Sequence, residues 1–194
     1  MKFEIYKFKT VTSTNDVAAD LIKNKNKKYG CIYANKQTKG RGTQGKGWIS
    51  EEGNLFGSIF FPLEKQYPPF NEFSIINPVI ISDVIKKFCI NKKLSFKWPN
   101  DVYVEGKKIC GILKEVITLN EKKFLIIGIG INITSSPKIE NNYKTTNIFT
   151  ETSNKPTTKE VIDHLILTYE NFFYNLSSYR FLAFKIKAEL MATK

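Results

Sequence analysis

Phe3, Ile5, Tyr6 and Phe8 place apolar side chains in imperfect alternation, which predicts an opening strand. Ser13 or Thr14 then caps a helix that carries Val17, Ala18, Leu21 and Ile22 on one face. Residues 31–35 read as a short strand, and residues 38–53 as a loop rich in Gly and Lys, too polar to pack. The apolar run 55–61 is a strand ended by Pro62. Phe73, Ile76, Ile80, Val84 and Phe88 recur at helical spacing and predict a helix over 72–88, kinked or delayed by Pro78. Strand character resumes at 95–98. Residues 102–104, the turn Glu105-Gly106-Lys107 and residues 109–117 read as a hairpin, and 120–123 turn into the very apolar strand 124–133. The polar stretch 134–156 reads as a long loop. Thr157 with Glu160 has the spacing of a capping box for a final helix through about residue 176. Hairpins mixed with a few helices indicate an α+β fold rather than alternating βαβ units.

Composition narrows the classes. The chain has 194 residues, enough for one domain with a real core. It contains no apolar run near the roughly 20 residues that cross a bilayer, and its first residues lack the apolar stretch of a signal peptide. Cys31, Cys89 and Cys110 are far apart and have no zinc-site spacing, which suits a reducing cytoplasm. His164 is the only histidine, which argues against Ser-His-Asp or His-metal chemistry. The net charge of +12 comes almost wholly from scattered lysines, since Arg41 and Arg180 are the only arginines. That pattern fits a solvated surface able to steer an acidic protein partner better than it fits a nucleic-acid or membrane site.

Three motifs carry the chemistry. Gly40-Arg41-Gly42-Thr43-Gln44-Gly45 spells G-x-G-x-x-G, but no amphipathic helix follows it, so the dinucleotide reading is rejected. What remains is a loop with exposed backbone N–H groups and one arginine, able to close over a carboxylate or phosphate; a plain surface loop has the same pattern. Lys97-Trp98-Pro99-Asn100-Asp101 makes a rigid corner, and the hairpin after it carries Lys108 and a Gly111 that leaves room for a ligand. An ordinary hairpin with solvated lysines is the alternative. Gly128-Ile129-Gly130-Ile131-Asn132 interrupts an apolar strand with glycines; Asn132 there is either a ligand contact or a satisfied core residue.

Taken in order, Ser13-Thr14-Asn15, Gln37 to Gly42, Trp48, Lys97 to Asp101, Lys108 to Leu113 and Gly128 to Asn132 resemble the biotin–protein ligases. The resemblance covers the catalytic domain from about Phe3 to Phe173. It implies a mixed β-sheet flanked by helices, related to class II aminoacyl-tRNA synthetases. It also implies a two-step reaction: biotin and ATP, with Mg²⁺, give biotinyl-5′-AMP, and a lysine of a biotin carboxyl carrier domain then takes the biotin. By resemblance Lys108, Arg41 and Asp101 are the catalytic residues. Ser13, Thr14, Asn15, Gln37, Gly40, Arg41, Lys108 and Gly111 contact biotin, and Arg41, Trp48, Asn100, Lys108 and Asn132 contact ATP. Small hydroxyls and an amide suit a ureido ring, which both donates and accepts. A lysine between carboxylate and α-phosphate suits the charge that develops there. No local pattern identifies a metal ligand.

The chain departs from the family pattern in three ways. Thr43 stands where many members have an arginine, which implies easier loss of the adenylate. No helix-turn-helix segment precedes Phe3, so repressor activity is not expected. Catalytic character is assigned to 1–176 and a C-terminal tail to 177–194, without the small SH3-like domain usual in relatives. The relatives include monomers and homodimers. The competing readings are a lipoate or octanoate transferase of the same superfamily and a non-catalytic biotin-binding module.

Overall fold

Two tight turns build the middle of the sheet. Glu105 and Gly106 have φ of 49° and 71°, and Asn120 and Glu121 have φ of 46° and 64°. Paired positive φ values give a two-residue connection the twist that neighbouring antiparallel strands need. The computed structural model describes residues 1–137 and 144–192. The turns join β5 (Asp101–Val104), β6 (Lys107–Leu119) and β7 (Lys122–Ile131). The other strands are β1 (Glu4–Val11), β2 (Gly30–Gln37), β3 (Leu55–Pro62) and β4 (Leu94–Lys97). Helices α1 (Thr14–Lys25), α2 (Phe73–Phe88), α3 (Ile148–Thr152), α4 (Thr158–Tyr174) and α5 (Phe181–Met191) complete the chain.

The strands form one seven-stranded sheet in the order β1-β2-β3-β7-β6-β5-β4. Only β1 and β2 run parallel, joined by α1 as a crossover; the other pairs are antiparallel. The fold is therefore the expected mixed sheet flanked by helices.

The two faces of the sheet differ in their cover. One is buried under α2, α4 and α5, where Ile59, Phe61, Leu125, Ile127 and Ile129 meet Ile76, Ile81, Ile85, Leu165 and Tyr169. The Tyr169 hydroxyl, fully buried, donates to Asn77 Oδ1 at 3.0 Å. Among the described helices only α1 packs on the opposite face. Ala18, Leu21 and Ile22 cover Ile32, Phe60, Phe124 and Ile126, and side chains alternate between faces along a strand. Toward the N-terminus of α1 the same face continues through Ser58 and Gly128, under Thr14 and Asn15, and beyond it through Gly130 and Gly111, which carry Trp48.

Several expectations change in the structure. Pro78 does not delay α2, which begins at Phe73 and runs on through the proline. Its missing N–H and ring cost about 3 kcal/mol, less than the burial of Ile76, Val79, Ile80, Val84 and Ile85 at roughly 1.5–3 kcal/mol each. The stretch 134–156 is not all loop. Asn147 accepts from Thr150 N at 2.8 Å and caps α3, while positions 138–143 of that expectation lie outside the described residues. The capping box of Thr157 and Glu160 is present. Residues after Tyr179 form α5, which packs on α2 through Phe184 and Ala188 and pairs Lys187 with Asp83 at 2.6 Å. Among the described residues no helix is long and apolar enough to cross a membrane.

Candidate active site

The uncovered part of the α1-side face is the floor of a cavity of about 300 Å³. Strand register puts Gly111 of β6 opposite Gly130 of β7, and Leu113 opposite Gly128. A Cβ at Gly111 or Gly130 would come within 2.5 Å and 2.4 Å of the Trp48 ring. A Cβ at Gly128 would meet Asn15 Oδ1 at 2.6 Å. The glycines are thus required by what lies on them. Trp48 is the exception in a loop expected to be too polar to pack: its indole rests on the glycine pair.

The loop that delivers Trp48 closes on itself. Trp48 N–H donates to Gly40 O at 2.9 Å, and Gly42 N–H donates to Lys46 O at 2.7 Å. Gly40 does not line the cavity; its missing Cβ lets the returning chain approach, since one would sit 2.5 Å from Trp48 O. The Trp48 Nε1–H is buried and has no hydrogen-bond partner among the described residues. Leaving such a donor unpaired costs on the order of 1–3 kcal/mol, and it marks a position that a ligand acceptor could satisfy.

Lys108 stands at one side of this floor. Its Nζ lies 2.8 Å from Asp101 Oδ1, with the two side chains only 12% and 17% exposed. It also lies 5.6 Å from the Trp48 ring centroid, within cation–π range. Asn100 donates to Asp101 Oδ1 at 3.1 Å and reaches Thr43 Oγ1 of the loop at 3.3 Å. The corner 97–101 therefore braces both the lysine's carboxylate and the loop.

A hydrogen-bonded set occupies the end near α1. Ser13 has N-cap backbone geometry, but its hydroxyl makes no capping bond; Ser13, Thr14 and Asn15 are all buried and line the cavity. Gln37 Oε1 accepts from Thr14 N–H at 2.9 Å and lies 3.2 Å from Thr14 Oγ1. Ser58 Oγ lies 2.7 Å from Thr14 Oγ1 and 2.5 Å from Asn15 Oδ1. Asn15 Nδ2 donates to Glu115 Oε2 at 2.6 Å. Arg41 sits at the rim between two carboxylates, Nη2 at 2.9 Å and 3.1 Å from the Glu115 oxygens and Nη1 on Asp16. The Asp16 hydrogen bond first, and Glu115 after it, push the guanidinium above its ordinary range.

Of the residues singled out from the sequence, Ser13, Thr14, Asn15, Gln37, Arg41, Trp48, Asn100, Asp101, Lys108 and Gly111 line this one cavity. Asn132 does not. It is buried, its Nδ2 donates to Thr146 O at 3.0 Å, and it ties segment 144–146 beside the Lys108 backbone. Sequence reasoning missed Ser58, Glu115 and Asp16. Ser58 carried a signal, as the lone hydroxyl in the apolar run Leu55–Pro62; a buried polar group needs partners. Asp16 and Glu115 carried none, because their importance exists only once β6, α1 and the loop meet. His164 packs against Phe88 and does not line the cavity. All three cysteines are buried, and burial pushes each thiol up, away from a reactive thiolate.

Residues 7–132 match the Biotin/lipoate A/B protein ligase family. The Bifunctional ligase/repressor BirA of Bacillus subtilis (strain 168) is 28% identical over 187 residues, covering 94% of this chain and 57% of that protein. The BirA of Escherichia coli (strain K12) is 34% identical over 125 residues, 63% of this chain and 38% of that protein. The chain thus spans about half the length of the curated relatives it matches. Among solved structures, the biotin protein ligase from Aquifex aeolicus in complex with biotin and ATP is similar with a TM-score of 0.80 and 29% identity, covering 97% of this chain and 78% of that one. The biotin protein ligase from Leishmania major in complex with biotinyl-5-AMP has a TM-score of 0.80 at 24% identity, covering 98% and 81%, and supports the fold. With the family match spanning well over half of its residues, the chain belongs to the biotin/lipoate A/B protein ligase family.

Proposed function

We propose that this protein is a biotin–protein ligase that makes biotinyl-5′-AMP from biotin and ATP and passes the biotin to a lysine of a carrier domain. The observation that carries the reading is the sharing of one cavity by Lys108, Arg41, Thr14, Asn15 and Gln37, with Ser58 buried behind Thr14 and Asn15. Its volume of about 300 Å³ suits a vitamin-sized molecule. Biotin's ureido ring lies on this reading against the hydroxyl and amide groups at the α1 end, where donors and acceptors are both on offer. Its valeryl chain runs over the glycine floor beside Trp48, and its carboxylate ends at Lys108. The nucleotide lies across the loop side of the cavity, near Arg41, Asn100 and Trp48.

In the first step a biotin carboxylate oxygen attacks the α-phosphorus, the bond from that phosphorus to the β-phosphate bridging oxygen breaks, and pyrophosphate leaves. Lys108 opposes the repulsion between the two anions and stabilises the charge on the pentacovalent phosphorus, a role worth about 2–4 kcal/mol for a preorganised donor. Asp101 holds the ammonium in place and is a positioning residue on this reading. In the second step a neutral carrier lysine attacks the acyl carbon, AMP leaves and the amine gives up a proton. Asn132 holds the segment beside Lys108 rather than touching the nucleotide. Residues 1–176 carry the chemistry, and α5 braces α2 behind them.

Mg²⁺ is expected to arrive with the ATP phosphates, whose charge it neutralises. Among the described residues no group of three or more His, Cys, Asp or Glu side chains could hold a metal. A phosphate- and water-held ion fits that donor set. We further propose a cytoplasmic location, where carrier domains and ATP are found. Incubation with biotin, ATP, Mg²⁺ and a biotin carboxyl carrier domain, followed by intact-mass measurement, tests the reading. One biotin added to the carrier supports it; an unmodified carrier, or one modified only when lipoate replaces biotin, contradicts it.

A further inference from the structure

Glu115 is the point at which the loop and the buried end of the cavity meet. Its Oε2 accepts from Asn15 Nδ2 at 2.6 Å and from Arg41 Nη2 at 2.9 Å. The residue is set on β6 two positions past Leu113, on the same face as Gly111. Asp16, by contrast, touches only the arginine of this group.

The chemistry of the carboxylate propagates. An ionised carboxylate only accepts, so Asn15 must turn its NH₂ toward Glu115 and its carbonyl oxygen toward Ser58. Ser58 has one hydroxyl proton and lies 2.5 Å from that oxygen, so it donates there. Thr14 then gives its own proton to Ser58 Oγ at 2.7 Å, while Gln37 Oε1 accepts from Thr14 N–H and Gln37 presents its NH₂ on the other side, toward Ser50. One charge thus orders the donors and acceptors of Asn15, Ser58 and Thr14, and the same charge holds the arginine of the loop that carries Trp48.

We propose that Glu115 is a positioning residue that couples closure of the 40–48 loop to the hydrogen-bond polarity of the buried end of the cavity. This rests on the biotin reading only for the identity of the molecule whose affinity changes. Glu115→Gln is the discriminating variant: it removes the charge that holds Arg41, and its amide can donate as well as accept, so Asn15 is no longer forced into one orientation. Glu115 is partly exposed, with 36% of its side chain open, so the variant is expected to fold.

The test uses a Trp98→Phe background, in which Trp48 is the sole tryptophan. Without ligand, Glu115→Gln is expected to lower the closed-to-open ratio of the loop roughly fivefold, the weight of an exposed ion pair, read as stronger acrylamide quenching of Trp48. Raised salt should increase quenching in the parent and have little effect in a combined Asp16→Asn, Glu115→Gln protein. The Asn15 side-chain amide protons, followed by NMR, should move upfield in Glu115→Gln and stay in place in Asp16→Asn. Biotin affinity by titration calorimetry should fall roughly tenfold in Glu115→Gln and stay within about twofold in Asp16→Asn, whose residue meets only the loop. Unchanged quenching, or unchanged Asn15 resonances, in Glu115→Gln overturns the proposal whatever biotin does. If both ligand-free signals move as expected but the parent binds no biotin, the coupling stands and the biotin reading falls.

Discussion

Strand β7 carries two different surfaces on one face. Phe124 and Ile126 lie under α1 with Phe60 and Ile32, sealed into a small apolar cluster, while Gly128 and Gly130, next along the same face, lie under Asn15 and Trp48. Backbone, pairing partners and twist are continuous across the change. Only side-chain volume and the end of a 12-residue helix separate a piece of core from a binding floor. The covered half shows how the face would look if it served stability alone, and the open half gives up side-chain volume to seat Asn15 and Trp48 beside the cavity.

Substitutions on the two halves should therefore separate stability from binding. The largest stability effect is expected at Phe60→Ala in the covered half, a loss of about 3–5 kcal/mol by denaturant unfolding, with biotin affinity of the surviving native fraction little changed. Gly130→Val in the open half should do the reverse. It displaces Trp48, removes biotin binding measurable by calorimetry, and costs about 1–3 kcal/mol of stability. A protein with Gly130→Val that still binds would break the comparison. Ser58→Ala removes a donor from the buried set and should weaken biotin by about 1–2 kcal/mol, roughly five- to thirtyfold in affinity. The smallest effect is expected at Thr43. Thr43→Arg should slow release of biotinyl-5′-AMP into solution, seen by chromatography of filtrates, with about a fivefold change or less.

The comparison also shows what could be read from the order of residues. Helix α1 was legible because Ala18, Leu21 and Ile22 repeat at its period, and the capping box at Thr157 because its two partners are three residues apart. Those signals are local. The adjacency of β3 and β7 was not legible: it joins positions near 58 and 128, and their pairing is decided by which faces can be buried together. The glycines at 111, 128 and 130 stood out in apolar strands, but their shared floor required the register. Trp48 was misjudged as part of an unpackable loop because average polarity hides one ring that has a glycine pair to rest on. Lys108 and Asp101 were legible as a motif, and their close approach follows from the β5–β6 hairpin. Glu115 and Asp16 were invisible, since an acidic residue on a strand or helix is ordinarily a solvated one.

The central claim is that Lys108 cancels the repulsion between two anions brought together over this floor. The most direct measurement is the rate of pyrophosphate release with biotin, ATP and Mg²⁺, comparing the parent protein with Lys108→Ala and confirming native folding of both by circular dichroism. The parent is expected to release pyrophosphate and form biotinyl-5′-AMP, and Lys108→Ala to slow that step by about 10²–10³-fold. Equal rates in the two proteins, or no biotin-dependent release in the parent, would contradict the account.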